Sequence, residues 1–387
     1  MSLLELSYSE YEGDPRSWAI TGATFSKINL VVGKNSTGKS RLLSVINSFS
    51  RMITGKFPVA FESGKFDAKI EINKSIYRYK IEFLNGIIAS EFLSVNGNEK
   101  LTRDAGGEGK LFYASEKEFI KFKVPVELTV AFTRRDGIQH PYLIELNEWA
   151  NSVILYPFGS DFGKSRVLSF SDLQIMQQQA ATGAGQDSPL DDPHDLVRAY
   201  YRGYERYKED FDKAIIDDMN FLGYNIVDVG AKHLTELKNI PIPAFGLFTV
   251  EADLGFKNPQ TNMSQGMFRA LALSIQMNLC SFSKNRKLIL IDDIGEGLDF
   301  ERSKAIINLL VSKAKGNGMQ LIMTSNDRFV MNEVPLEHWS VMRRTGGLVR
   351  IFNERNSREQ FENFKFVGLN NFDFFASDLF ESGDSKS

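Results

Sequence analysis

The stretch Ile28 to Ser40, INLVVGKNSTGKS, decides how this chain is read. Its first five residues are short, apolar and rich in β-branched side chains, which predicts a buried strand closing at Gly33. The residues behind it, LLSVINSF, repeat at helical spacing, so the plan is strand, glycine-bearing loop, helix. Within that plan GKNSTGKS matches G-x-x-x-x-G-K-[ST], a phosphate-binding loop. Gly33 and Gly38 let the backbone turn tightly enough for successive amide N–H groups to face phosphate oxygens, and the helix that follows adds the positive end of its dipole. Lys39 brings a point charge to the β- and γ-phosphates of a nucleotide, and Ser40 a hydroxyl to Mg²⁺. The expected ATP-binding set is Gly33, Lys34, Asn35, Ser36, Thr37, Gly38, Lys39, Ser40 and Arg41.

Working outward, KLILIDDIGEGLD at Lys287 to Asp299 carries the next piece of chemistry. Four apolar residues deliver Asp292 to the carboxyl end of a buried parallel strand, the edge where ligands bind in such sheets. There Asp292 can hold Mg²⁺, and Asp293, one position on, can orient or deprotonate an attacking water. Upstream, NMSQGMFRAL places Ser264, Gln265 and Gly266 at the start of a helix, where serine is also simply a good N-cap.

Taken in order, these pieces resemble the ABC-type ATPases. Ser264-Gln265-Gly266 resembles their signature, usually LSGGQ. DDIGEGLD has the length of their Walker B and D-loop run, usually DEPTSALD, which places Leu298 and Asp299 as the D-loop. Asn326, after the strand-like LIMTS, stands where the family usually has a switch histidine. The resemblance implies a composite site in which the loop at Lys39 acts in cis and Ser264 in trans from a second copy. It covers about residues 17 to 49 and 248 to 334. The long gap between loop and signature looks like the SMC-like and RecF-like branch, and more narrowly like the short-insertion ATPases of overcoming-lysogenisation-type and other anti-phage systems. The implied catalytic set is Lys39, Asp293 and Asn326. Asp293 is one methylene shorter than the family's usual Glu, which points to slow turnover, and Glu296 is a candidate to compensate. Asn326 cannot protonate as His can, though its amide can still donate to a phosphate.

Composition bounds the rest. The chain has 387 residues, 42% of them hydrophobic, and a formal net charge of -3, so no whole-chain field draws it to DNA or anionic lipid; a local basic groove is left open. Its single cysteine, Cys280, excludes an intramolecular disulfide, a CxxC site and a cysteine-ligand zinc cluster, and fits a reducing, cytoplasmic location. No stretch approaches the roughly 18 apolar residues of a membrane span, and the opening residues lack a signal-peptide pattern. His140, His194, His233 and His338 are scattered without metal-ligand spacing and read as surface or packing residues. A Q-loop is not assignable: Gln139 and Gln174 are candidates, and each reads better as a surface residue. Tyr11 and Trp18 are aromatics that either stack on adenine or pack in the core.

The expected class is an α/β P-loop NTPase of ABC-ATPase type, a mostly parallel sheet flanked by helices, with an antiparallel β lobe and a compact helical insertion. The expected domains are 1–170 with the phosphate loop and β lobe, 171–240 as insertion, 241–378 with signature, Walker B, D-loop and switch, and 379–387 as a disordered tail. In the lobe, Asn85-Gly86, Asn96-Gly97 and Gly106-Gly107 mark hairpin turns. In the insertion, DLVRAYYRGYERYKEDFDKAIIDDMNFL reads as one long helix, and Pro241 and Pro243 precede a return to strands. The roughly 60 residues after Asn326, with Arg343, Arg344 and an aromatic run, are shorter than a typical appended domain. The expected partners are a second copy or higher homo-oligomer and a separate effector protein such as a nuclease or toxin. DNA is left open, and no membrane is expected.

Overall fold

The computed structural model describes residues 1–56, 61–181, 192–238, 244–284, 287–364 and 370–381. They form two compact units, one of Met1–Leu155, Lys287–Leu290 and Gln320–Ser387, the other of Tyr156–Arg286 and Ile291–Met319. Pro189, Pro241 and Pro243 lie outside the described residues.

The first unit is organised by a sheet of fourteen strands. Its order is Val153–Pro157, Leu288–Asp292, Gln320–Ser325, Ile28–Val32, Trp339–Thr345, Leu348–Phe352, Trp18–Thr24 and Ser2–Glu10, followed by six strands in chain order between Ser63 and Lys123. Ile28–Val32 is buried along its whole length, as a strand flanked on both sides must be. It pairs in parallel with Gln320–Ser325 on one side and with Trp339–Thr345 on the other. Parallel pairing belongs to this end of the sheet. From Trp18–Thr24 onward the neighbours run antiparallel, and the β lobe continues the same sheet.

The lobe strands alternate buried and exposed residues, with Phe66, Ala68, Ile70 and Ile72 turned inward along Ser63–Ile72. Asn85-Gly86 and Asn96-Gly97 adopt the positive φ their turns need, but so do Asn73 and Lys74, a hairpin without the glycine signal. At the centre of the lobe the buried Glu91 accepts from Arg103 Nη1 at 3.2 Å, from the Val130 amide at 2.9 and 3.0 Å, and from the Tyr79 hydroxyl. The short helix Val130–Thr133 is thereby fastened to the sheet. The helix Lys39–Thr54 buries an apolar stripe of Leu42, Leu43, Val45, Ile46, Phe49, Met52 and Ile53.

The C-terminal segment completes this unit rather than forming an appendage. Trp339–Thr345 and Leu348–Phe352 make a hairpin within the sheet, and the helices Arg358–Phe364 and Asn371–Ala376 pack through Phe361, Phe364 and Phe374. Residues 379–381, assigned to the tail on sequence grounds, form a 3₁₀ turn because Phe380 is buried against Phe352 and Phe374. The remainder of the tail lies outside the described residues.

In the second unit the helix Gln265–Ser283 is buried continuously from Met267 to Asn278, so it presents no solvent face over that length. The segment expected as one long helix is two, Leu196–Tyr207 and Glu209–Phe221, divided at Lys208 with φ 49°. The cause is a close approach: a Cβ on Gly203 would sit 2.3 Å from the Phe211 ring, and only glycine lets the second helix fold back onto the first. The insertion also holds a strand, Ile226–His233, paired antiparallel with Ala244–Glu251. Among the described residues no helix is long and apolar enough to cross a membrane.

Candidate functional site

The loop from Gly33 to Ser40 lies between the strand Ile28–Val32 and the helix Lys39–Thr54. Gly33 cannot carry a side chain, since a Cβ would fall 2.7 Å from Thr37 Oγ1 and 3.0 Å from the Met342 carbonyl. Gly38 has φ 102° and packs on the ring of Trp18. As the N-cap residue it offers no side chain to the first-turn amides, which leaves that helix start without the capping oxygen other helices here possess. The Lys39 ammonium is buried and donates to the carbonyls of Gly33 at 2.8 Å and Lys34 at 3.4 Å. A positive helix end, an interior ammonium and no side-chain cap fit a bound anion.

Around this loop stand three more cations. Lys34 lies 3.8 Å from Asp378, and Arg41 covers the Trp18 ring at 4.0 Å while pairing with Glu10. Arg344 donates through Nη1 to the Ser36 carbonyl at 3.3 Å. Asn326 Nδ2 donates to Asn35 Oδ1 at 2.9 Å, so the residue expected at the switch reaches the Gly33–Ser40 loop within the first unit. Trp18, a candidate for adenine stacking, is 2% exposed and is a packing residue beneath the loop. Tyr11 is occupied by the Arg16 guanidinium over its ring at 4.1 Å and by a hydrogen bond from its hydroxyl to Glu62.

The second unit gathers the remaining positions around one residue that the sequence reading did not single out. Arg269, 7% exposed, donates Nε to the Ser160 carbonyl at 2.9 Å, Nη1 to the Glu296 carbonyl at 2.7 Å and Nη2 to the Gly159 carbonyl at 2.8 Å. One guanidinium therefore joins the helix bearing Ser264-Gln265-Gly266, the loop after Val153–Pro157 and the run after Asp292. The available signal was a basic residue inside the apolar pattern MFRALAL. Asp293 has φ 54°, an uncommon conformation for a residue with a side chain. It faces Gly159, where a Cβ would fall 2.9 Å from Asp293 Cβ and 2.5 Å from Glu296 Oε2, so both carboxylates approach the same glycine.

Ser264 Oγ accepts from the Met267 amide at 3.1 Å and caps its own helix. Gly266 lies against the D-loop position, its Cα so close that a Cβ would be 2.8 Å from the Gly297 carbonyl and 3.3 Å from Leu298. Asp299 caps the helix Phe300–Gly316 by accepting from the Arg302 amide at 2.9 Å, a bond that pulls its carboxyl below the usual range. Gln139 is half-buried, Gln174 is exposed, and the loop Tyr156–Ser160 contains no glutamine.

Among the described residues no group of three or more His, Cys, Asp or Glu side chains could cage a metal. The donors present, the exposed Ser40 hydroxyl and the half-buried Asp292 carboxylate, are hard oxygens of the kind Mg²⁺ takes when phosphates and water complete its shell. They fit that ion. Of the histidines, His140 is buried between Tyr113 and Tyr142 with neither ring nitrogen hydrogen-bonded among the described residues. It is a packing residue.

Fold and loop together define an α/β P-loop fold of the ABC-ATPase type. The chain is similar in fold to an SMC head bound to the C-winged helix domain of ScpA, at TM-score 0.53 and 12% identity, over 91% of this chain and 97% of that one. It is also similar to the Pyrococcus furiosus Smc head with an extended coiled coil bound to the C-terminal domain of ScpA, at TM-score 0.50 and 11% identity, over 94% and 100%. The chain belongs to the family described as AAA domain, putative AbiEii toxin, Type IV TA system, whose model matches residues 128–332. No curated protein matches it.

Proposed function

We propose that the protein is an ATP-driven switch that dimerises around two ATP–Mg²⁺ units and hydrolyses them slowly. The observation that carries this reading is the helix start at Lys39, uncapped by any side chain and backed by a buried ammonium. In this reading residues 33–41 hold the nucleotide, Ser40 and Asp292 hold Mg²⁺, and Asp293 with Asn326 attends the water and the γ-phosphate. Mg²⁺ would supply charge neutralisation at the phosphates. Ser264, Gln265 and Gly266 act in trans, Leu298 and Asp299 line the same junction, and Arg269 keeps signature helix and acidic run in step. Engagement by ATP and release by hydrolysis then reshape residues 171–240, the insertion, to gate a separate effector protein. The family's description as a putative toxin of a toxin–antitoxin system is in keeping with a role in anti-phage defence.

The test is phosphate release from ATP and Mg²⁺ as protein concentration is varied. The expected result is a specific rate that rises with concentration, vanishes in Lys39→Ala and is lost in Ser264→Arg, which binds ATP but does not dimerise. Asp293→Asn is expected to accumulate as an ATP-bound dimer in sizing experiments. Normal turnover in Ser264→Arg would sink the composite site. A second reading, an ATP-held scaffold for an effector with negligible hydrolysis, is favoured by the short Asp293 and by an amide in place of an imidazole at Asn326. Tight ATP binding without turnover would select it. Repair or DNA-end sensing is a third outcome, read by salt-dependent DNA binding.

A further inference from the structure

The strand Ile28–Val32 has a parallel neighbour on each side, with Ser325 and Val341 both opposite Val32. At the carboxyl end of each neighbour one polar side chain reaches the phosphate loop. From Gln320–Ser325 the next residue, Asn326, holds Asn35. From Trp339–Thr345 comes Arg344, which holds the carbonyl of Ser36. Consecutive loop residues are thus gripped from opposite flanks.

Ser36 itself is unusual. Its φ is 65°, in the left-handed region that favours glycine, and it is exposed, so no packing around its side chain enforces that conformation. Arg344 differs from the other exposed cations near the loop. Lys34 and Arg41 each face a carboxylate, whereas Arg344 forms no ion pair among the described residues. Its guanidinium is braced by a second bond, from Nε to the Gly346 carbonyl at 2.7 Å, within its own hairpin turn. The trans peptide between Ser36 and Thr37 is planar, so fixing where the Ser36 carbonyl points also fixes where the Thr37 N–H points, in the opposite direction.

We infer that Arg344 is a positioning residue for the nucleotide loop, holding Ser36 in the left-handed conformation and so setting the direction of the amides that meet the phosphates. The C-terminal hairpin is then part of the binding apparatus. This rests on the reading of residues 33–41 as the ATP loop.

The test is a double-mutant cycle read by ATP affinity, with the unliganded melting temperature followed in parallel. Arg344→Ala is expected to weaken ATP binding about tenfold while leaving the unliganded melting temperature within a few degrees. Arg344→Lys, which keeps a donor but loses the braced fork, should fall between. The decisive arm uses Ser36→Gly as background. Glycine takes the left-handed conformation without help, so Arg344→Ala there should change affinity less than twofold. An undiminished tenfold loss in that background would mean that Arg344 acts on the phosphates directly, and would overturn the inference. Unchanged affinity in Arg344→Ala, with Lys39→Ala still abolishing binding, would overturn it while leaving the ATP reading intact. A wild-type chain that binds no ATP would remove both.

Discussion

The helices Lys39–Thr54 and Gln265–Ser283 both begin behind a turn, yet their starts are finished differently. The first has Gly38 as its cap, no capping side chain, and cations around it. The second is closed by Ser264, whose hydroxyl already accepts the Met267 amide. Their bodies differ too. The first buries an apolar stripe whose polar additions, Lys39, Ser50 and Thr54, bond to nearby main-chain carbonyls, while the second carries Arg269, Ser274, Gln276 and Asn278 into the interior and bonds them mainly to other elements. An open helix end offers its amides and dipole to an anion at once; a closed one must first give up its own hydrogen bond. The helix start at Lys39 leaves its first amides open to an anion. The start at Ser264 is built to be stable until something competes for its hydroxyl.

The largest expected effect lies in the polar interior of the second helix. Asn278 and Lys313 both donate to Asp218, at 2.7 and 3.0 Å, and Lys313 donates to Asn278 at 2.7 Å, which ties three helices together away from water. Lys313→Met should destabilise the protein by about 3–5 kcal/mol in urea unfolding, because Asp218 is left charged and buried. Adding Asp218→Leu should recover most of that loss. If the single substitution is harmless, the contrast between an apolar and a polar helix body has no energetic content.

Next in size is the open helix end. Lys39→Ala should weaken ATP binding at least about 100-fold by calorimetry, since it removes the interior charge facing the phosphates. A loss below about tenfold would mean that the uncapped amides, not the ammonium, dominate the site. Ser264→Ala sharpens the other side of the comparison. It should cost about 1 kcal/mol of unfolding free energy in the absence of nucleotide, the usual value of a serine cap.

The smallest effects are dependences on pH, and the two units should show opposite signs. Burial, with Asp228 and Glu209 nearby, pushes the Asp212 carboxyl up to about 6, against a partial offset from the Tyr200 hydroxyl bonded to it. The folded chain then holds a proton that the unfolded chain releases near pH 4, so this contribution falls as pH rises from about 4 to 6. Asp212→Asn should flatten that slope and, since the group is half-exposed and screened, stabilise by about 1 kcal/mol or less at pH 7. Burial instead holds the His140 imidazole below its usual value. Stability is lost there as pH falls below about 6.5, where the unfolded chain takes up a proton first. His140→Phe should remove that loss. Melting curves between pH 4 and 7.5 check both variants, and equal slopes in the two would contradict these assignments.

Much of the candidate site is legible in the sequence because its signals are local. The loop at Gly33, the acidic run at Asp292 and the serine before Gln265 each announce themselves within about ten residues, through turn chemistry, strand hydrophobicity and capping. The hairpins at Asn85 and Asn96 were equally plain. The turn at Asn73-Lys74 was not, since Lys74 gives no left-handed signal. The break at Lys208 was invisible to periodicity because its cause is a ring from one helix seated on a glycine of the other. Arg269 escapes the sequence reading and Arg344 enters it only as a basic residue, since their partners are main-chain carbonyls, and every residue has one.

The sequence by itself determined the local patterns: a strand, a G-x-x-x-x-G-K-S loop and a helix, carboxylates at the end of a buried strand, and a capped helix start, each complete within a few residues. Only the tertiary structure decided how those parts are held. It extends one sheet from the parallel strands into the lobe and folds the insertion back on itself. It places Asn326 and Arg344 on neighbouring residues of the loop and closes Arg269 on three carbonyls. These pairings join positions as far apart as Ser36 and Arg344, and no local rule fixes which carbonyl a distant guanidinium will meet; packing of the whole core does.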